Sequence, residues 1–178
     1  MIKKTGFTLL EILIAVSICG LLAAAVFEII SLGKKSWDTG SEKQTLDNQL
    51  RIGIDNMARE LYNSQGGKIT IVDDPDRAGS KIITFSVPIG SNATGLVWGA
   101  DNKSSFFIRY VIDNNNRLMR QILNSAGVLL PNDPGTKIYA SNIDSIQWDF
   151  LSGYLAVNIS AADKNLRSNL STELTLRN

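Results

Sequence analysis

Hydrophobic residues are concentrated near the amino terminus of the chain. Residues 7–30 include 14 residues of the Leu, Ile, Val and Phe types, and residues 12–27 carry no charge. A helix over residues 7–30 would extend about 36 Å, which exceeds the roughly 30 Å hydrocarbon core of a bilayer. The apolar residues outweigh the insertion cost of the early carboxylate Glu11, about 3 kcal/mol. The pattern predicts one membrane-spanning helix.

The helical pattern continues beyond this apolar run. No proline occurs between Phe7 and Tyr62, and Gly66-Gly67 then provides a stop signal. In the second half of the segment, apolar residues recur at spacings of three and four, namely Leu46, Leu50, Ile54, Met57 and Leu61. That spacing is typical of a helix with one buried face. The sequence therefore predicts a continuous helix whose second half is amphipathic.

After Gly67, apolar residues alternate with polar ones, as in strands that bury one face. The candidate strands are residues 68–72, 81–87, 105–112, 117–123, 145–151, 154–160 and 170–176. The run from Asp113 to Asn116 predicts a tight hairpin turn, because Asn and Asp tolerate positive φ and hydrogen-bond their own backbone. The expected fold class is α+β, with one long N-terminal α-helix packed on a C-terminal antiparallel β-rich head.

Composition excludes several classes of function. Among 178 residues, 18 are Lys or Arg and 17 are Asp or Glu, so no strongly basic surface for nucleic acid is expected. The chain has no histidine, which excludes imidazole catalysis and histidine metal sites. Its single cysteine, Cys19, cannot form an intramolecular disulfide. Because the sequence contains no phosphate loop and no activated nucleophile, we expect neither enzyme activity nor a cofactor.

Asp73, Asp74 and Asp76 form the one weak candidate for a metal site, because calcium prefers clustered carboxylate ligands. An EF-hand loop that began at Asp74 would need a carboxylate or amide at Ala78 and a glutamate at Phe85. The sequence has neither. An acidic turn between two strands is therefore expected here, with no bound metal.

Three kinds of processing are compatible with the amino terminus. A secretory signal peptide would use the basic residues Lys3 and Lys4, the apolar run, and cleavage near Ala25. A lipoprotein signal would place its lipid on Cys19. An ordinary signal peptide does not usually carry a carboxylate such as Glu11 early in its apolar region.

The third possibility rests on the order of residues 3–11, Lys-Lys-Thr-Gly-Phe-Thr-Leu-Leu-Glu, followed by a long apolar run. This segment resembles the class III signal peptide of the type IV pilin and pseudopilin family. The resemblance implies a basic leader at Lys3 and Lys4, cleavage by a prepilin peptidase after Gly6, and N-methylation of Phe7. Several independent features agree, which makes the motif specific.

The resemblance also implies a role for Glu11, which would be the fifth residue of the mature chain. In this family, the corresponding carboxylate of one subunit meets the amino-terminal amine of a neighbour in the filament. That amine would belong to Phe7 here. An unpaired carboxylate in a bilayer is costly, and such residues are usually functional. The alternative is that Glu11 snorkels from the end of the helix to the lipid headgroups.

Beyond the leader, the chain is similar to J-type pseudopilins of type II secretion and to W-type minor pilins. The similar features are the Met-Ala-Arg-Glu-Leu segment at 57–61, a hairpin that ends at Arg120, and the closing Leu-Thr-Leu-Arg-Asn. The absence of a carboxy-terminal cysteine pair favours a minor pilin or pseudopilin. The implied parts are a leader at residues 1–6, a membrane-spanning and filament-core half-helix at 7–33, an amphipathic half-helix at 34–65, and a β-rich head at 66–178.

The sequence thus predicts a structural subunit, of minor, tip or initiating type, in a type IV pilus or type II secretion pseudopilus. The expected partners are prepilin peptidase, other pilin or pseudopilin subunits, and the bacterial inner membrane before assembly, with the head outside the cytoplasm. The alternative is a single-span, membrane-anchored extracytoplasmic binding domain or enzyme that does not polymerise.

Overall fold

The computed structural model describes residues 8–151, 154–164 and 166–176. The predicted leader residues Lys3 and Lys4 and the predicted cleavage-site residues Gly6 and Phe7 lie outside these ranges. The chain divides into two compact units, Met1–Glu42 and Lys43–Asn178. A single α-helix, α1 (Leu9–Tyr62), begins in the first unit and ends in the second.

The second unit contains a short 3-10 helix, Gly66–Lys68, and eleven described strands. The strands are β1 (Ile69–Asp73), β2 (Lys81–Phe85), β3 (Val87–Asn92), β4 (Gly95–Ala100), β5 (Lys103–Ser104), β6 (Phe107–Ile112), β7 (Leu118–Leu123), β8 (Lys137–Ala140), β9 (Ile143–Leu151), β10 (Tyr154–Asp163) and β11 (Leu166–Thr175). They form a five-stranded sheet in the order β1-β2-β6-β7-β8 and two three-stranded sheets in the orders β11-β10-β9 and β3-β4-β5. All pairings between these strands are antiparallel. The predicted α+β fold class is confirmed.

The second half of α1 packs on the sheets of the head through the predicted apolar residues. Leu46, Leu50, Ile54, Met57 and Leu61 are all buried. They join a core formed by inward-facing strand residues, including Ile83, Tyr110, Ile122, Trp148 and Val157. The helix and the sheets therefore share one hydrophobic core within the second unit.

At Gly53, α1 lies close against the five-stranded sheet. A Cβ built on this residue would lie 3.3 Å from Cδ2 of Leu118 on β7 and 3.4 Å from Cβ of Ala140 on β8. A glycine at this position lets the helix backbone lie directly against two strands, whereas a larger side chain would separate them.

The predicted turn at Asp113 to Asn116 joins β6 to β7. Asn116 has a φ of 57°. The Asp113 carboxylate accepts hydrogen bonds from the N–H groups of Asn115 and Arg117, each at 2.9 Å, and from Nε of Arg117 at 2.7 Å. Burial by itself raises the pKa of Asp113, but these hydrogen bonds outweigh it and lower the pKa below its ordinary value.

The alternation of apolar residues does not predict β3, β4, β5 or β8. Pro88 and Gly90 interrupt β3, and β5 and β8 contain two and four residues, too few to show a period of two. The predicted strand over residues 81–87 is divided at Ser86, whose carbonyl oxygen accepts a hydrogen bond from Oγ of Ser64 at 3.0 Å. In addition, β11 begins at Leu166, earlier than the predicted residue 170.

Candidate functional site

The first unit presents an apolar helix surface that is covered by no other described part of the chain. Between Leu9 and Leu32, the large apolar side chains are 49–82% exposed. Among the described residues, α1 is the one helix that is long and apolar enough to cross a membrane. A core helix of a soluble protein would bury this surface, so its exposure fits a membrane-anchored segment.

At the start of this helix, Thr8 and Glu11 form a reciprocal pair. The Thr8 N–H donates to Oε2 of Glu11 at 2.8 Å, and the Thr8 hydroxyl lies 3.0 Å from the same oxygen. In return, the Glu11 N–H donates to Oγ1 of Thr8 at 3.3 Å. This is a capping box, in which two otherwise unpaired N–H groups of the first helical turn are satisfied.

The capping box gives Glu11 a local partner in the free chain. From the sequence, this carboxylate was predicted to pair with a neighbouring subunit or to snorkel to the lipid headgroups. The helix cap was not predicted. The signal was present, because Thr-x-x-Glu before an apolar run is a sequence signature of a helix N-terminus. Glu11 can therefore enter the apolar environment with part of its hydrogen-bonding capacity already used.

The acidic run lies in the turn that connects β1 to β2. Oδ1 of Asp74 accepts the N–H of Asp76 at 3.0 Å, and the Asp74 N–H donates to the carbonyl oxygen of Ser80 at 3.0 Å. Asp73 and Asp76 are exposed. Within the described ranges, no group of three or more His, Cys, Asp or Glu side chains converges as metal ligands would. The Asp74 carboxylate thus stabilises the turn by accepting a hydrogen bond within it.

A buried polar cluster joins α1 to the five-stranded sheet. Arg120 on β7 is only 4% exposed. Its Nε donates to both carboxylate oxygens of Glu60 on α1, at 2.8 and 3.0 Å. Its Nη2 and Nη1 donate to Asp101 at 2.7 and 3.0 Å, and Nη1 also donates to the carbonyl oxygen of Gly135. Every nitrogen of the guanidinium is therefore engaged by the chain itself.

Two tyrosines complete the cluster by donating to Glu60. The hydroxyl of Tyr110 lies 2.8 Å from Oε2 and that of Tyr139 lies 3.0 Å from Oε1. Burial and the adjacent Glu60 carboxylate raise the pKa of Tyr110 well above its ordinary value and raise that of Tyr139 to about 12. Burial opposes the charge of Arg120, but Asp101 and Glu60 outweigh it and raise the pKa of the guanidinium. The guanidinium of Arg120 therefore stays charged, and the cluster fixes the end of α1 to the head.

This cluster was not identified from the sequence, although a signal existed. Arg120 occupies the same side of β7 as Leu118 and Ile122, both of which are fully buried. A cation at a core position of an alternating strand requires a buried partner. The partners could not be named from the sequence, because Glu60 lies 60 positions from Arg120.

Comparison with known proteins gives one match. Residues 1–27 match the family model described as "Prokaryotic N-terminal methylation motif". No curated protein and no solved structure matches the chain. The match covers the leader and the first part of the apolar helix, where the resemblance was found in the sequence. Together with the long exposed apolar helix, it supports a type IV pilin-like or pseudopilin subunit and points to a structural role.

Proposed function

We propose that this protein is a structural subunit of a type IV pilus or of a type II secretion pseudopilus. A prepilin peptidase cleaves the chain after Gly6 and methylates the new amino terminus at Phe7. Lys3 and Lys4 form the basic leader. Before assembly, the subunit is anchored in the bacterial inner membrane by residues 7–33, with its head outside the cytoplasm.

The observation that carries this proposal is the coincidence of a methylation motif with an exposed apolar helix. The motif covers residues 1–27, and the apolar side chains of α1 stay exposed from Leu9 to Leu32. A helix that only anchored a domain would need the apolar surface but not the motif. A subunit that moves from a membrane into a filament needs both, because its helix exchanges lipid for the helices of its neighbours.

In the filament, the Glu11 carboxylate pairs with the Phe7 amine of a neighbouring subunit. In the free chain, the same carboxylate accepts the hydrogen bonds of Thr8. When the subunit is incorporated, an intersubunit ion pair therefore replaces or supplements the local cap of Glu11. The loss of one partner would leave the other charge unpaired among apolar helices, which typically costs about 3–5 kcal/mol.

We further propose that the protein is one of the larger minor subunits, with a tip or initiating position in the filament. Support comes from the similarity of the head to J-type pseudopilins and W-type minor pilins. The single cysteine, Cys19, lies in the apolar helix, so the head has no disulfide-closed loop of the kind found in major pilins.

The capping box favours a second candidate function, a membrane-anchored domain that does not polymerise. If the helix cap accounts fully for Glu11, the carboxylate needs no neighbouring subunit. In that case the apolar helix is only an anchor, and the head acts alone outside the cytoplasm.

Two experiments in the native host separate these functions. The first is the mass of the amino-terminal peptide of the mature protein. A methylated Phe7 is expected, whereas an end near Ala25 or a lipidated Cys19 would contradict prepilin processing. The second is Glu11→Ala, which should sharply reduce incorporation into sheared filaments or pseudopili. Normal incorporation of this variant would eliminate the assembly role of Glu11, whereas absence of the wild-type chain from the filaments would favour the anchored domain.

A further inference from the structure

The strands at the ends of each sheet have one edge without a strand partner, and β1 and β11 are two of them. β1 is the first strand of the five-stranded sheet, and β11 is the first strand of the β11-β10-β9 sheet. β11 has ten residues, about twice the usual strand length. It contains no proline, and its pairing with β10 runs without a bulge. Proteins normally shorten or disrupt such edges, because unpaired backbone groups attract further strands.

The hydrogen bonds show which residues of β11 face its free edge. The Ala162 N–H on β10 donates to the carbonyl oxygen of Asn142, on the β9 side, at 3.0 Å. Ala162 is therefore not hydrogen-bonded to Arg167, which lies opposite it on β11. Because bonding alternates along antiparallel strands, the odd-numbered residues of β11 direct their N–H and C=O groups outward. The side chains of the even-numbered residues, such as Leu170, face the core.

The same argument applies to β1. The Asp74 N–H donates to the carbonyl oxygen of Ser80 at 3.0 Å, so the even-numbered residues of this segment bond toward β2. Ile69, Ile71 and Asp73 therefore direct their backbone groups to the free edge. The side chains of Ile69 and Ile71 pack against the core. In β1, the residues whose backbone groups point to the free edge are thus the residues whose side chains face the core.

This difference between the two edges selects one direction of pairing. In a parallel pair, a residue whose N–H and C=O groups bond to the neighbouring strand lies beside a residue whose own N–H and C=O groups point away from the first strand. Odd residues of β1 would then lie beside even residues of β11, and both sets of side chains face the core. An antiparallel pair would place Ile71 beside exposed β11 side chains instead. Only parallel pairing joins the two sheets so that their core-facing side chains lie on the same side.

Charge selects the register. A groove of about 260 Å³ beside β11 is lined by the two cations Lys43 and Arg51, by Leu170, and by one anion, Asp47, whose carboxylate accepts the hydroxyl of Ser168. Neither Lys43 nor Arg51 has an ion-pair partner within the described residues. If Asp73 of an added strand lies beside Leu170, its carboxylate is on the same face as these two cations. Ile69 then lies beside Leu166, so β1 is paired along its full length.

We propose that β1 of one copy of this chain adds to β11 of the next copy as a parallel strand, with Asp73 beside Leu170. The contact is heterologous, because two different surfaces meet, and it can repeat without closing. It rests on the proposed filament, which supplies the ordered array in which such a contact repeats, and not on a tip or initiating position, which a single copy would occupy without this contact. Backbone hydrogen bonds provide the attraction, and the Asp73 charge provides the register.

Disulfide cross-linking of the full chain in native-host membranes tests this contact. Cys19→Ser removes the exposed native thiol. Val72→Cys and Asn169→Cys then place two exposed thiols opposite each other across the proposed pair. Facing Cα atoms in paired strands lie about 5 Å apart, within the range of a disulfide. With a mild copper(II) oxidant, the double variant should form dimers, trimers and longer ladders, and each single variant should form none.

A matched control moves one thiol out of register. Val72→Cys combined with Glu173→Cys separates the thiols by about 13 Å along the strands, so its ladder should be lost. Dimers from Asn169→Cys alone would indicate pairing of β11 with itself and would overturn the proposal. Cross-links only to a different protein would overturn the second copy as the occupant.

The result also separates this contact from the proposed function. Methylated, sheared filaments without a ladder from the double variant would overturn strand addition and leave the filament assignment intact. A ladder from an unprocessed chain would support the contact and contradict the filament. If neither appears, both proposals fail.

A charge reversal tests the register independently. Asp73→Lys should lower the ladder yield about two- to fivefold, and Arg51→Glu in the same chain should restore it. Asp76→Lys, in the same turn but outside the proposed pair, is the control and should leave the yield unchanged. Equal yields for Asp73→Lys and Asp76→Lys would overturn the assignment of Asp73 to the groove.

Discussion

Arg120 and Glu60 form a buried ion pair in which Nε lies 2.8 Å from Oε1. The two residues belong to the central part of the sheet and to the last turns of α1. Asp101 pairs with the other side of the guanidinium, and two tyrosine hydroxyls donate to Glu60. No described part of this cluster is therefore unpaired. Within the second unit, this cluster holds the last turns of α1 against the five-stranded sheet.

Arg120→Met should destabilise the head by about 1–3 kcal/mol, because it leaves the carboxylates of Glu60 and Asp101, which are 26% and 36% exposed, without their buried cation. Urea unfolding of the full chain in detergent micelles, followed through the fluorescence of buried Trp148, measures this change. Arg59→Met, at an exposed neighbouring position, is the matched control and should alter stability by less than about 0.5 kcal/mol. Equal stability of the two variants would contradict a structural role for the cluster.

Stability should fall at alkaline pH as Tyr139 ionises. Its pKa is raised in the folded protein from the ordinary 10.0 to about 12. A raised pKa means that the neutral form is favoured by folding, so the contribution is complete below pH 10 and is lost as the pH rises toward 12. Tyr139→Phe should therefore show a smaller decrease of the free energy of unfolding across this window.

The control for the alkaline transition is Tyr62→Phe, because Tyr62 is 60% exposed. This variant should retain the wild-type pH dependence. The absorbance of tyrosinate provides a second measurement, since the pKa values of Tyr110 and Tyr139 are raised above the ordinary 10.0. Ionisation of both residues near pH 10 would show that Glu60 does not hold the two hydroxyls in solution.

Gly53→Leu should destabilise the head by about 1–3 kcal/mol, because the new side chain meets Leu118 and Ala140 at this close helix–sheet contact. Gly40→Leu is the matched control in the same helix, since no atom lies within 4 Å of a Cβ at that position. The control should gain helix propensity, worth up to about 1 kcal/mol. Thermal unfolding by circular dichroism compares the two, and a stable Gly53→Leu variant would contradict the close packing.

Thr8→Val separates the helix cap from the proposed assembly role of Glu11. It removes the hydroxyl that bonds to Glu11 and costs about 1 kcal/mol of helix stability. The Glu11 carboxylate remains available to a neighbouring amine. Incorporation into sheared filaments should therefore stay close to wild type for Thr8→Val. A loss as large as that of Glu11→Ala would indicate that the cap, rather than an intersubunit pair, explains the requirement for Glu11.

The amino-acid pattern was sufficient for the elements whose signals are local. The five apolar residues from Leu46 to Leu61 predicted the buried face of the helix, because neighbours at three and four positions share one side. Strands with continuous alternation, such as β6 and β7, were also predicted. Strands β3 and β4 were missed, because their Pro and Gly residues remove the local pattern while pairing within their own sheet stabilises them.

The sequence by itself determined the long apolar helix, the methylation motif and the α+β class, since each depends on residues close together in the chain. The tertiary structure alone decided that Arg120 pairs with Glu60 and Asp101, and which backbone groups of β1 and β11 remain unpaired. Those contacts join residues far apart in the sequence. Their partners are selected by the geometry of the folded sheets and by the cost of leaving a buried charge without a counter-ion.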